Sequence, residues 1–451
     1  MLDTVRNAWK IPELRKKLLF VIVAVIIFRF AHTIHVPFVD SAMAAQMFMT
    51  QHAGNLLGYF NVLAGGGLQT ASILALSIYP YINSSIIMQL LQVAIPALER
   101  MAKEGGEAGK KKIEAITRIL TLALSVIMGY SYVLMLKSYG NVLSPQGSTT
   151  WGIIVILLTF TAGSMFVMWL GEQITQKGIG NGVSLILFIG IVSRGPSMIT
   201  SIVNGFKSGL AADGTVIPPS MSWWKLLIIL AMAIGIIAFI VYITNAERRI
   251  PVQYAKRVIG RKQYGGQSTH LPMKVNMSGV MPVIFASTIT TVPGTIVTFL
   301  NPAQGSFWFG MTNTNSDLGP MGWFIPSPAS VLYILVYVLL IFGFGYFYST
   351  IQFNPIEVAN NLRKNGGFIP GFRPGKPTSD FIARVLGKIT MMGAIFLTII
   401  AALPLVMSNI PGLMGLSIGG TSVLIMVSVA LETVKAIEAQ MLMRHYKGFL
   451  E

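Results

Sequence analysis

Apolar runs about as long as a bilayer crossing alternate along this chain with shorter polar stretches. A membrane-spanning helix needs about 20 mostly apolar residues. Ten stretches meet that demand, approximately Leu18–His35, Ile73–Ile95, Ile116–Leu136, Trp151–Leu170, Val183–Ile202, Trp223–Ile243, Val280–Leu300, Ala329–Phe347, Ile389–Met407 and Gly415–Val434. Polar residues interrupt two of them: Pro80, Asn83, Ser84, Ser85 and Gln89 in the second, and the run from Thr288 to Pro293 in the seventh. The first run follows Arg6, Lys10, Arg15, Lys16 and Lys17 and ends at His32–His35 without a small-residue cleavage site. It therefore reads as a retained span and not as a signal peptide. The predicted fold is an all-α polytopic membrane protein of ten transmembrane helices.

The basic residues fall in every second connector. Arg100, Lys103, Lys110, Lys111 and Lys112 follow the second span, with Arg118 just beyond. Arg248, Arg249, Lys256, Arg257, Arg261, Lys262 and Lys274 follow the sixth, and Arg363, Lys364, Arg373, Lys376, Arg384 and Lys388 the eighth. No Lys or Arg lies between Arg29 and Arg100, between Lys274 and Arg363, or within Ser408–Leu416. The positive-inside rule then places both termini in the cytoplasm. Arg194, Lys207 and Lys225 depart from it mildly. Spans one to five (residues 1–205) and six to ten (206–451) each have a polar second member. Five spans per half force opposite topology on the halves, the inverted-repeat arrangement, around a central space.

Composition narrows the function. The chain is 53% hydrophobic and 11% charged, and it contains no cysteine, so no thiol chemistry is available. Its mean hydropathy of +0.67 is that of a membrane protein. Ion-coupled transport needs ionisable groups near mid-membrane; Arg29, Glu172 (beside Lys177) and Glu432 all sit at span ends. The segments GGEAGKK (Gly105–Lys111) and GFRPGKP (Gly371–Pro377) lack the spacing and the Ser or Thr of a phosphate loop. GIGNG (Gly178–Gly182) precedes a span instead of following a strand, so it is no dinucleotide fingerprint. His32 and His35 have no carboxylate nearby. No catalysis, cofactor or metal is expected. A passive channel, a secondary transporter or lipid flippase, and an insertase scaffold without a pore remain open.

Longer strings carry a resemblance. GGGLQTASILALSIYPYINSSIIMQLL (Gly65–Leu91), KGIGNGVS (Lys177–Ser184), ERRIPVQYAKR (Glu247–Arg257), QSTHLPMKVNMSGVMPVIFA (Gln267–Ala286), FNPIEVANNLRKNGGFIPGFRPGKPT (Phe353–Thr378) and GGTSVL (Gly419–Leu424) occur in this order on the expected spans. The chain resembles the SecY/Sec61-alpha family over essentially its whole length. That resemblance implies two five-helix halves opening like a clamshell around an hourglass pore in the plasma (inner) membrane. Unfolded polypeptide passes outward and apolar segments leave sideways into lipid, driven by the ATPase SecA or a translating ribosome. It implies SecE and SecG as membrane partners, with signal peptides, the moving polypeptide and lipids as ligands.

It also implies site residues. Ile82, Ile86, Ile191, Ile284 and Ile425 would form a pore ring, flanked by Leu187 and Met281. Ile82 and Ile86, four apart, share a helix face. Without the resemblance such isoleucines read as packing or lipid-facing residues. Leu57, Gly58, Tyr59, Phe60, Asn61, Val62, Leu63, Ala64, Gly65, Gly66, Gly67 and Leu68 would form a plug, too short to span, with the glycines as hinge. Asn83, Ser85, Gln89, Ser287, Thr288 and Thr291 give polar faces to apolar helices. These faces either bond helix to helix permanently or form a seam that parts, the lateral gate. The connectors at about 244–275 and 351–388 carry more positive charge than topology requires. Arg248, Arg249, Lys256, Arg257, Arg363, Lys364 and above all Arg373 would meet ribosomal RNA phosphates or an acidic groove on the motor. Ile356 stands where some relatives carry Arg, so no contact is carried over there.

Overall fold

A computed structural model describes residues 2–51, 61, 64–138, 142–206, 209–210, 216–217, 222–254, 257–259, 262–264, 268–300, 328–407 and 420–445. A helix covers part or all of each of the ten apolar stretches, and three departures from the expected spans have local causes.

After α1 (Leu2–Lys10), α2 (Pro12–His32) opens on a proline, whose fixed φ suits a first helical turn. Asp40 caps α3 (Ser41–Gln51), its Oδ1 accepting from the Ala42 and Met43 amides at 2.9 and 3.2 Å. The second span was expected from Ile73, yet α4 begins only at Tyr79 and runs to Ala94. Backbone groups of the preceding segment are committed elsewhere: Val36 N bonds Ala71 O at 3.0 Å, Ile73 N bonds Ile34 O at 3.0 Å, and Ser72 N bonds Gly67 O at 3.0 Å. Pro96 then stops α4 and starts α5 (Pro96–Lys103), because Ile95 before it is driven to an extended backbone (φ −113°, ψ 110°). The two helices meet at a bend of 103°.

Long helices α6 (Gly106–Ser138) and α7 (Thr150–Lys177) follow, the latter capped by the Thr149 hydroxyl, which accepts from Gly152 N at 3.2 Å. The fifth span is not continuous. It divides into α8 (Gly182–Val192), capped by Asn181, and α9 (Gly195–Gly205), with Pro196 forbidding an unbroken ladder. The short hairpin β1 (Gly209–Leu210) and β2 (Val216–Ile217) leads to α10 (Trp223–Asn245).

The largest departure lies in the basic connectors, which are not simply loops. Strand β3 (Glu247–Tyr254) is followed by the small hairpin β4 (Arg257–Ile259) and β5 (Lys262–Tyr264), then by β6 (Ser268–Lys274). Beyond α11 (Met281–Leu300), α12 (Pro328–Gln352) and α13 (Pro355–Lys364) comes β7 (Gly367–Phe368), then α14 (Lys376–Met407) and α15 (Gly420–His445). β3 pairs antiparallel with β6 from Glu247↔Lys274 to Gln253↔Ser268, and with β7 at Gln253↔Phe368 and Tyr254↔Gly367. One face of this sheet turns Ile250 and Val252 onto Met273, Ile369, Ile382, Leu386 and Ile389, a core of its own.

Among the described residues, five helices have the length and composition to cross a membrane, and the bent pair α4–α5 makes a sixth. The main core lies centrally, joining α2, α4, α7, α8, α10, α11, α12, α14 and α15. One tight approach fixes the entry to α4: a Cβ on Gly163 of α7 would lie 1.9 Å from the Ile73 carbonyl oxygen. Gly163→Ala must push α7 away from that turn, a distortion worth about 1–3 kcal/mol. A lowered midpoint of thermal unfolding in detergent is expected; an unchanged one would show that the turn yields freely.

Candidate functional site

The seven aliphatic residues of the expected ring come from four helices. Ile82 and Ile86 lie on α4, Leu187 and Ile191 on α8, Met281 and Ile284 on α11, and Ile425 on α15. All belong to or pack against the one central apolar cluster. Ile425 is fully buried and Ile86 is 3% exposed, while Ile191 and Met281 are partly buried. Ile341 of α12 and Leu397 of α14 share the cluster, so this placement alone does not mark out a ring. The whole cluster draws on both sides of residue 206, and within it α4 meets α11 and α8 meets α15. Branched aliphatic walls offer water and ions no hydrogen bonds, so a narrow passage lined by them closes by dewetting.

Of the plug stretch, Leu57, Gly58, Tyr59, Phe60, Val62 and Leu63 lie outside the described residues. Its stem is well tied. Asn61 is buried; its Oδ1 accepts from Gln69 N at 2.9 Å, and its Nδ2 donates to Gln69 Oε1 at 3.3 Å. Gly65 and Gly66 adopt left-handed backbone (φ +68° and +91°), which glycine takes without strain. Gly67 is glycine for space: a Cβ there would meet the His32 ring at 2.7 Å. The Tyr132 hydroxyl of α6 donates to the Leu68 carbonyl and fixes the far side of the hinge. Gly65 in turn sits on α8, where a Cβ would touch Ser193 Oγ at 3.1 Å and Gly190 Cα at 3.3 Å.

His32 was read from sequence only as half of a poor metal pair. Its ring, 7% exposed, instead packs against Gly67, and no group of metal-ligating side chains occurs among the described residues. Nothing in the local sequence signals that contact, which is tertiary. Glu172 is paired at its span end, as its position there suggests. Its partner is Arg118 of α6 and not Lys177, with Arg118 Nε to Oε1 at 3.0 Å and Nη2 to Oε2 at 2.8 Å.

The polar side chains expected at a seam bond mostly within their own helices. Gln89 Nε2 donates to Ser85 Oγ at 3.4 Å, and Ser287 Oγ to the Ile284 carbonyl at 2.8 Å. Thr290, which is not one of the expected six, likewise donates from Oγ1 to the Ala286 carbonyl at 3.0 Å. Asn83 Nδ2 reaches Met128 Sδ of α6 at 3.8 Å. None of these bonds joins α4 to α11. Thr288 is buried, and the side chain of Thr291 lies outside the described set.

Among the basic residues, Arg248, Arg249, Arg363, Lys364 and Arg373 are exposed. Arg249 is partly neutralised by Glu247, Nε to Oε1 at 2.7 Å. Lys256 lies outside the described residues, and Arg257 is placed only as part of β4. Arg373 rides a tight frame: Gly371 and Gly375 have φ of +87° and +107°, Thr378 Oγ1 donates to the Arg373 carbonyl at 2.8 Å, and Phe372 stacks on Phe381 with centroids 4.2 Å apart.

Comparison with known proteins adds three findings. Residues 72–434 match the SecY family model. The chain is 42% identical over 460 residues to the protein translocase subunit SecY of Streptomyces scabiei, covering 100% of both, and 40% identical over 457 residues to that of Thermotoga maritima, covering 100% of this chain and 98% of the relative. Its fold is similar to a solved protein-conducting channel (TM-score 0.63, 16% identity, 94% of this chain and 92% of that one) and to Sec61 in the canine ribosome–channel complex from the endoplasmic reticulum (TM-score 0.59, 15% identity, 94% and 92%).

Proposed function

The chain belongs to the SecY family of protein translocase subunits, and from that premise we propose that it is the pore-forming subunit of a plasma-membrane export channel worked by its own two halves. Residues 1–205 and 206–451 are the halves, and both termini are cytoplasmic. SecE and SecG accompany it in the membrane, and SecA or a translating ribosome docks on the basic connectors. The protein is a channel and not an enzyme.

The observation that carries this reading is one buried aliphatic cluster that brings together residues of α4, α8, α11 and α15 from both sides of residue 206, which we read as the constriction. At rest the ring excludes water and the segment 57–68 stops it from outside. An arriving signal peptide inserts between α4 and α11, supplying the differential binding that favours the open state. That seam parts at little cost if its polar groups stay bonded inside their own helices, as those of Ser85, Gln89 and Ser287 are. Interhelical bonds within membranes are themselves weak, about 0.6 kcal/mol on average.

The test uses membrane vesicles holding the chain with SecE, supplied with SecA, ATP and a signal-bearing substrate. Because the chain has no cysteine of its own, Ser85→Cys with Thr288→Cys gives a unique reducible cross-link. Cross-linking is expected to stop export and reduction to restore it. Full export through a verified cross-link would remove the seam from the mechanism.

A further inference from the structure

Arg194 departs from the charge pattern that orders the rest of the chain, and neither the ring, the plug nor the seam uses it. It lies just past α8, at the break before α9. Its amide donates to the Ile191 carbonyl at 3.2 Å, and its own carbonyl accepts from Ser197 Oγ at 2.8 Å. The backbone therefore holds Arg194 one turn beyond a ring residue. On the topology proposed above α8 runs outward from Gly182, which puts Arg194 on the outer side of Ile191. The stem of the plug abuts the same stretch: a Cβ on Gly65 would lie 3.1 Å from Ser193 Oγ and 3.3 Å from Gly190 Cα.

The side chain is partly buried, and among the described residues no hydrogen bond or ion pair engages its guanidinium. The surrounding sequence supplies no carboxylate for it either. No Asp or Glu lies between Asp40 and Glu99, between Glu172 and Asp213, between Glu247 and Asp317, or between Asp380 and Glu432. The plug, α4, α8, α9, α11 and α15 as far as Leu431 are therefore without acid, and none of them holds a Lys or Arg. A cation within a membrane span faces a partner or a water-filled space. With no carboxylate to pair, water is left. The water-filled space beside Ile191 and the plug stem is the outer mouth of the passage.

We infer that Arg194 selects charge along the export path, a fixed cation one turn outside the ring that draws acidic stretches of the moving polypeptide outward and holds back basic ones. This deepens the channel reading above and rests on it. Each part of the substrate that clears the ring meets Arg194 next. At the effective dielectric of a protein surface, a fixed unit charge about 10 Å away changes the occupancy of a passing unit charge by roughly tenfold. Pores that select anions place Arg or Lys at their narrow part for the same reason.

The test uses the same vesicles of full chain with SecE, driven by SecA and ATP and held without a membrane potential. Two signal-bearing substrates differ in one mid-chain run, lysines in one and glutamates in the other. The quantity read is the ratio of their export rates through one channel, which a general loss of activity leaves unmoved. Arg194→Glu is expected to shift that ratio about tenfold toward the lysine substrate. Arg194→Gln is expected to shift it partway, and Arg194→Lys to leave it near the parent value. The leak of Ile86→Asn gives a second readout without substrate. In a potassium chloride gradient its reversal potential is expected to favour chloride with Arg194 in place and potassium with Arg194→Glu. The same ratio in the parent and all three variants would overturn the assignment and leave the channel standing. A ratio that follows the charge with no leak from Ile86→Asn would support Arg194 and sink the ring. No export by the unaltered chain would sink the channel reading, and Arg194 with it.

Discussion

Asparagine in place of Ile86 or Ile425 is expected to make the resting channel leak ions and accept substrates with defective signal peptides. Both side chains lie in the central cluster, Ile425 fully buried and Ile86 3% exposed. A closed channel holds ions out because its walls cannot replace their hydration. Asparagine brings a donor and an acceptor, so water can enter the constriction and the barrier falls. The substitution also removes apolar burial from the closed state, about 2 kcal/mol for a side chain of this size. Closed and open populations then shift by roughly thirtyfold. A signal peptide works by preferring the open state, so a channel already biased that way accepts a weaker signal. Planar-bilayer conductance and export of a signal-defective substrate read the two effects separately. Ile26, 61% exposed on α2, is the control and is expected to show neither. Tight, signal-strict channels from both ring variants would reduce these isoleucines to packing.

Reversal of charge at Arg373 is expected to abolish SecA-driven export while the protein still accumulates in the membrane at its normal level. The side chain is exposed, on a turn stiffened by two left-handed glycines, Pro374 and the Phe372–Phe381 stack. A pre-formed tip loses little entropy on docking. Removing one partner of a hydrogen-bonded charge pair within an interface costs about 2–5 kcal/mol, and Arg373→Glu adds repulsion against an acidic groove. Docking more than tenfold weaker follows from the lower figure alone. Export rates in vesicles across a range of SecA concentrations, with immunoblots for protein level, give the readout. Export at the unaltered rate at limiting SecA would mean that the motor docks elsewhere.

The spans were legible in the sequence because bilayer thickness imposes a length, and alternating connector charge gives the count a second check. Two departures from them were written there too. Pro96 and Pro196 mark the bend after α4 and the break before α9, but hydropathy averaged over a window passes across single prolines. The late start of α4 was not legible, since its cause is hydrogen bonding of residues 71–73 to 34–36 and 67. The sheet was half legible: Ile250 and Val252 alternate with exposed neighbours as a strand requires. Its third strand was out of reach, because Tyr254 pairs with Gly367 across more than a hundred residues of sequence. Likewise the seat of Gly67 against His32 depends on the fold bringing the segments together. Local pattern therefore shows where the chain crosses the membrane, while the contacts that hold the stem exist only in three dimensions.

The shared sheet makes two connectors into one handle. Only Ala246 separates α10 from β3, and Val275 N bonds Ala246 O at 2.9 Å, closing the base of the handle where the chain turns back toward α11. At the other end β7 joins the segment that carries Arg373 to β3. A partner gripping the tip therefore pulls on no slack tether. Hydrogen-bonded strands run from that tip to the feet of α10 and α11, so on the gate proposed above a push at Arg373 would reach a seam helix as torque.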